Sequence, residues 1–274
     1  MVKENPLAPP GFFEAEAAGL RWLADGLAEA RAEEPGGASA PGEASARLRV
    51  VRVAAVEPGR IELERIDEVR PTPEAARAMG RGLAGLHDAG AAAFGAAPDG
   101  WHGPLFIGKR QMPVASERAW GAFFVRDRVM PFLAPALAAG YLRDDEAVLV
   151  RRACDAIAGG AFDDDEPPAR IHGDLWNGNV LWAADGPVLI DPAAHGGHRE
   201  TDLAMLALFG CPYLDEVVAG YEAGHPLRPG WRERVPVHQL HPLAVHAAGH
   251  GRGYGVALAE AAEAVLQLVA NRRE

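Results

Sequence analysis

Cysteine is nearly absent: Cys154 and Cys211 are the two in 274 residues, far apart and in no CxxC pair. That excludes a dithiol redox motif and points to two reduced thiols in a cytoplasmic protein. Basic residues are in deficit, 27 Lys and Arg against 38 Asp and Glu, for a net charge of −11. A chain this acidic is poorly suited to nucleic acid or an anionic membrane, although a local basic group can still meet a phosphate. The opening MVKENPLAPPG has no apolar core, and no apolar run approaches a bilayer's thickness. Neither a secretory signal nor a membrane helix is therefore expected. Internal repeats and regular βαβ alternation are also missing.

What is present suffices for one large domain or two modest ones, with 49% of residues hydrophobic. FFEAEAAGLRWLADGLAEAR (12–31) places Phe13, Ala17, Leu20, Leu23 and Leu27 on one helical face. Residues 33–46 form a low-complexity loop. Leu48–Val56 and Arg60–Ile66 read as two strands joined at Glu57-Pro58-Gly59. A helix should begin at Thr72 as N-cap with Pro73 in its first turn and stop at Gly90. Helices are expected over Ser116–Ala138, Asp144–Gly159, Thr201–Leu208, Leu214–Gly224 and the long run Val237–Arg273, with a loose segment over Phe94–Val114. Asp163–Glu166 reads as a solvated acidic loop. Strands concentrate at the front and helices at the back, so the expected fold is α+β with two lobes.

Two motifs invite functional readings that their context opposes. Gly80-Arg81-Gly82-Leu83-Ala84-Gly85 spells GxGxxG, yet it lies inside an amphipathic helix rather than after a strand. Small residues for close helix packing explain it better. His246 and His250 have the i, i+4 spacing of metal ligands, but no glutamate accompanies them and Gly249 and Gly251 weaken a helix there.

The chemistry concentrates in IHGDLWNGNVLW (171–182), followed by a strand Pro187–Ile190 that ends at Asp191. A strand, a polar turn, a second strand and a terminal Asp can converge Asp174, Asn179 and Asp191 on one point. Their oxygens are hard donors suited to Mg²⁺. Asp174, off the metal, could accept a proton from a hydroxyl attacking a γ-phosphate. The alternative is a polar turn that merely contains Asp and Asn. The spacing is that of protein kinases, with HGD for HRD and DP for DFG, the form of small-molecule kinases of that fold.

HGDLWNGNVLW with IDPAAHGGHRETDLAML resembles the fructosamine kinase (ketosamine-3-kinase) family, relatives of aminoglycoside phosphotransferases. The resemblance extends to FEAEAAGLRWLA, ELERI, MGRGLAGLH, YEAGHPLRPGWRER and HGRGYG, nearly the whole chain. It implies a two-lobed protein-kinase-like fold, a nucleotide-binding lobe over residues 1–66 and a catalytic lobe over 67–274. It implies ATP- and Mg²⁺-dependent phosphorylation of the 3-hydroxyl of ketosamines such as fructosamine or ribulosamine, followed by breakdown of the ester and deglycation. A kinase for an aminoglycoside or another hydroxylated amine is the second enzymatic possibility. Carried over by position, Asp174 is the base, and Asn179 and Asp191 are the Mg²⁺ ligands. Lys3 is the phosphate-contacting lysine, Glu16 its partner, and Glu64, Arg65 and Ile66 the hinge that meets adenine. His172 braces the catalytic loop and Asp202 caps its amides. Trp176 is either a wall for the sugar or core. His195, Arg199 and Glu200 could touch substrate, although a local salt-bridge and loop-shaping role fits them better.

The chain departs from the fold's pattern at its start. Two strands and a Gly-rich turn normally precede the lysine strand, and here Lys3 is the third residue. On that basis the phosphate-covering hairpin is expected to be missing, through a late start or true loss, and turnover to be reduced or replaced by mere nucleotide binding.

Overall fold

A computed structural model of the chain describes residues 1–33 and 46–272; the expected loop 33–46 lies almost wholly outside them. Strand β1 (Val2–Glu4) leads to helix α1 (Phe12–Glu33), which buries Phe13, Ala17, Leu20, Leu23 and Leu27 as their spacing requires. The region expected as one strand over Leu48–Val56 is two: β2 (Arg49–Val50) and β3 (Val53–Glu57). The turn at Pro58-Gly59, with Gly59 at φ +79°, sends β3 antiparallel into β4 (Arg60–Leu63). β1 pairs with the other edge of β4, placing Lys3 opposite Ile61, so the front sheet has the order β1-β4-β3.

Helix α2 (Pro73–Asp88) begins as its sequence dictates: Thr72 Oγ1 accepts the Ala75 N–H at 3.2 Å and Gly90 turns away at φ +70°. The segment 94–114, loose in sequence, contains a hairpin of β5 (Leu105–Ile107) and β6 (Arg110–Met112). The helix expected over Ser116–Ala138 is broken. A short α3 (Trp120–Phe123) runs into a π-helical stretch, Phe124–Val129, before α4 (Met130–Ala138), and α5 (Asp144–Ala158) follows. Next come β7 (Ala169–Ile171), β8 (Val180–Ala183), β9 (Gly186–Leu189) and β10 (His195–Gly197). β2 pairs parallel with β9, which explains the early break in the front strand: its first residues belong to the sheet of the β8–β9 hairpin.

Helices α6 (Glu200–Phe209) and α7 (Leu214–Gly224) match expectation. The long run from Val237 is two helices, α8 (Trp231–Ala247) and α9 (Arg252–Asn271), interrupted at the glycines that flank His250. α9 has the length and apolar character of a membrane span, contrary to the expectation that no run does, with a mean hydropathy of 1.2. Here it buries Leu258, Ala262 and Val265 against the back core.

One core joins α1 and the front sheet to α2, β8 and β9; the other gathers the β5–β6 hairpin with α4, α5, α8 and α9. The GxGxxG segment lies in mid-helix. A Cβ on Gly80 would meet the Val217 carbonyl of α7 at 1.9 Å, and one on Gly82 would meet Leu48 Cβ at 2.4 Å. The glycines serve close packing, not a nucleotide. Cys154 and Cys211 are free thiols, pushed by burial up to about 12 and about 11.

Candidate active site

The segment 171–182 crosses from β7 to β8 through Gly173, at φ +77°, where a Cβ would lie 2.4 Å from the Ala193 carbonyl. Only glycine allows the two segments so close. The amides that this turn exposes are held from a distant helix. Asp202 on α6 accepts the N–H groups of His172 and Gly173 at 2.8 and 2.9 Å, and His87 lies 3.2 Å from the same carboxylate. His172 Nε2 lies 2.9 Å from the Ile190 carbonyl, and its Nδ1 accepts the Asp174 N–H at 3.3 Å. The imidazole therefore braces the loop, as the resemblance implied.

Asp174, Asn179 and Asp191 meet. Asn179 Nδ2 donates to the Asp174 carbonyl at 2.8 Å, to its carboxylate at 3.2 Å and to the Asp191 carbonyl at 3.4 Å. Burial drives the Asp174 carboxyl up to about 7, against the Asn179 hydrogen bond and with help from the charges of Asp191 and Asp202. Asp191 stands in the left-handed region at φ +53°, the kind of backbone strain retained at functional positions. Lys3 donates to Glu16 at 2.8 Å and also to one carboxylate oxygen of Asp191. Burial alone would lower the lysine's pKa, but the two carboxylates raise it, so the cation persists.

These side chains line a single cavity of about 400 Å³, together with Asn5, Phe12, Phe106, Lys109 and Trp176. Trp176 is 41% exposed, its ring edge against Phe209 at 6.3 Å, and it stands as a wall rather than as core. Among the described residues no thiol or imidazole lines the cavity. The Asn179 nitrogen donates to Asp174, so its Oδ1 and the Asp191 carboxylate, from two residues that line the cavity, remain as a hard-oxygen set. That set fits Mg²⁺.

Other sequence candidates lie elsewhere. Glu64, Arg65 and Ile66 follow β4 outside this cavity's lining; Glu64 pairs with Arg49, and Arg65 lies 3.6 Å from Asp67. His195 and Arg199 were candidates for substrate contact, and both are buried away from the cavity. His195 Nδ1 donates to the Ala193 carbonyl at 2.7 Å, while its Nε2 accepts from Arg128 Nε at 3.2 Å, an arrangement that fixes its tautomer. Arg199 reaches Glu166 and Asp88, each at 3.0 Å. Both therefore shape loops. The acidic run is likewise more than a solvated loop, since Glu166 also pairs with Arg228 at 2.7 Å and Asp164 meets His198 at 3.3 Å.

His198, Glu200 and His238 bring metal-type donor atoms within 4.8 Å of one another. Each is already committed: Glu200 to Arg234, His198 to Asp164, and His238 to Thr201 at 3.0 Å. They form an ion-pair network. His246, in the last turn of α8, and His250, just beyond it, have ring centroids 5.0 Å apart with the planes tilted by 41°. Sequence reasoning missed Phe106 and Lys109, because the three-residue strands of their hairpin carry no usable periodicity.

The family model for fructosamine kinase matches residues 1–268. A probable ketoamine kinase of Enterococcus faecium is 31% identical over 93% of this chain and 83% of its own length. A ketosamine-3-kinase of Mus musculus is 32% identical over 50% of this chain and 44% of its own. The crystal structure of a candidate fructosamine-3-kinase from Thermobifida fusca superposes with a TM-score of 0.82 at 45% identity, covering 97% of this chain and 85% of that one. An aminoglycoside phosphotransferase, at 17% identity and a TM-score of 0.51, shares the two-lobed α+β kinase-like fold. The chain belongs to the fructosamine kinase family, ATP-dependent kinases that act on ketoamines.

Proposed function

We propose that the chain transfers the γ-phosphoryl group of ATP to the 3-hydroxyl of a ketosamine, a fructosamine or ribulosamine, and so starts its deglycation. The observation that carries this reading is Asp174: a half-buried carboxylate with no cation paired to it among the described residues, locked by Asn179 in the cavity that also contains Lys3, Glu16, Asp191 and Trp176. An unpaired carboxylate with a pKa near 7 suits a general base.

In this reading the sugar lies against Trp176 and its hydroxyl faces Asp174. As the hydroxyl oxygen bonds to the γ-phosphorus, its proton passes to Asp174 and the bond to the ADP oxygen breaks. Lys3, steadied by Glu16, orients the phosphates. Asn179 and Asp191 would hold Mg²⁺, whose charge offsets that of the phosphates. The product ester is unstable and its breakdown releases the amine. The front lobe extends to residue 66, and the lobes join near Arg65–Pro71. Most of the rate comes from positioning, so the cavity's fixed geometry matters more than any one group's reactivity.

Phosphate transfer from ATP to a ribulosamine, a fructosamine and an aminoglycoside, measured with the chain and with Asp174→Ala, tests the reading. Turnover of a ketosamine that Asp174→Ala abolishes supports it. Activity on the aminoglycoside alone, or an Asp174→Ala chain as active as the parent, overturns it.

A further inference from the structure

The cavity contains two lysines, and only one belongs to the machinery described above. Lys3 is spent on Glu16 and Asp191. Lys109, at the tip of the β5–β6 hairpin, has no ion pair or hydrogen bond among the described residues, yet it lines the same cavity as Asp174 and Trp176.

The hairpin is built to hold that tip still. Ile107 pairs with Arg110 across a two-residue turn, and Gly108 takes φ +51°, as the first position of a type II′ turn requires. Leu105, Ile107 and Met112 are anchored in the back core. Arg110 donates to the Ala248 carbonyl at the end of α8. Phe106 packs edge-on against Phe12 of α1 at 5.3 Å, bridging to the front. A Cβ on Gly108 would meet nothing within 4 Å, so the anchored tip faces open space.

The hairpin rises from the back core, whereas Lys3 and Glu16, the pair that would meet the phosphates, come from β1 and α1. Lys109 therefore stands on the acceptor side. Phe12 and Phe106 make the lip apolar, and among the described residues no cation besides Lys3 and Lys109 lines the cavity. An ammonium at an apolar lip selects an anion on the part of the substrate that projects outward.

We infer that Lys109 is a specificity-determining residue that binds a carboxylate on the amine portion of the ketosamine, so that the preferred substrates derive from amino acids bearing a free carboxylate. The inference rests on the ketosamine reading and adds to it the class of amine. With the sugar against Trp176 and the hydroxyl at Asp174, the amine substituent exits toward the hairpin. A carboxylate close to the nitrogen is then within reach of the lysine.

The test compares ketosamines made from ribose with glycine and with glycinamide, which differ in that carboxylate. The chain, Lys109→Gln and Lys109→Glu are assayed for kcat and KM toward each ketosamine and for KM toward ATP. Both are also titrated by calorimetry into Asp174→Asn and into Asp174→Asn/Lys109→Gln. Lys109→Gln should raise KM for the glycine compound roughly ten- to hundredfold, the range of a hydrogen bond to a charged group. It should change the glycinamide compound by less than about twofold and leave KM for ATP and kcat unaltered. Lys109→Glu should reverse the preference. Equal effects on both compounds, no effect on either, or a rise confined to ATP would overturn the inference. If neither compound is phosphorylated, the kinase reading fails, and the calorimetric difference still decides for or against Lys109.

Discussion

The Asp202 carboxylate accepts the backbone N–H of His172 at 2.8 Å, across 30 residues of chain. With the Gly173 N–H and His87 it forms a fully buried knot behind the catalytic turn. Burial would raise its pKa, but those donors overcome this and hold it low. Asp202→Ala should cost about 2–4 kcal/mol in urea unfolding, because two buried amides lose their acceptor. Its kcat should fall more than its KM for ATP, since Asp174 moves with the loop while Lys3 stays.

Asp174 should give activity an acidic limb. With its carboxyl pushed up to about 7, kcat/KM for the ketosamine should rise with pH through that value and level off above it. A flat profile from pH 5 to 9 would sink the assignment of the base. The same shift opposes stability. Between the unfolded value, 3.8, and about 7 the folded state binds the extra proton, so stability declines as pH rises across that window. Asp174→Asn removes that slope and should be more stable than the parent at pH 8, by roughly 1–2 kcal/mol after allowing for the cavity's solvent.

Gly80 tests the packing account of GxGxxG. Alanine there would press on the Val217 carbonyl and Tyr221 N–H of α7, backbone atoms that cannot swing aside. Gly80→Ala should destabilise by about 3 kcal/mol. In a chain kept folded by low temperature, nucleotide affinity should be unchanged. A selective loss of nucleotide binding would revive the dinucleotide reading.

Arg234 supports the network behind α6. Burial would raise the Glu200 carboxyl, but hydrogen bonds from His238 and Arg234 hold it down at about 2. Arg234→Ala strands a buried carboxylate and should cost about 3–5 kcal/mol. The depressed pKa contributes stability above the unfolded value of 4.5, and that contribution is lost as pH falls toward about 2. Acid unfolding of the variant should therefore show a shallower dependence on pH over this window.

The catalytic set was legible because its chemistry is local: Asp174, Asn179 and Asp191 fall within one strand-turn-strand, and residue type with spacing fixes their convergence. The Lys3–Glu16 pair needed a family resemblance, since nothing in MVKEN announces its partner. For His195 and Arg199 the sequence left a substrate contact beside the loop-shaping role that fitted them better, and their burial against distant partners favours the latter. Their partners Arg128 and Asp88 lie far away in sequence. Segment 94–114 was opaque for a different reason. Strands of three residues are too short to show alternation, and their anchoring comes from α8 and α1 rather than from themselves.

Lys3 and a divalent cation would compete for Asp191. Lys3 bridges Glu16 and Asp191, so its charge already occupies one carboxylate oxygen of the proposed magnesium ligand. Glu16→Gln frees the lysine from its other partner and strengthens its hold on Asp191. That variant should need several-fold more Mg²⁺ to reach half-maximal nucleotide binding, read by tryptophan fluorescence. Lys3→Met removes the competitor and should need less Mg²⁺, while binding ATP more weakly for want of a phosphate contact. The opposite signs are the test: two substitutions within one ion triad shift magnesium demand in different directions only if Asp191 is shared between the lysine and the cation. A common shift in both variants would place the magnesium site elsewhere.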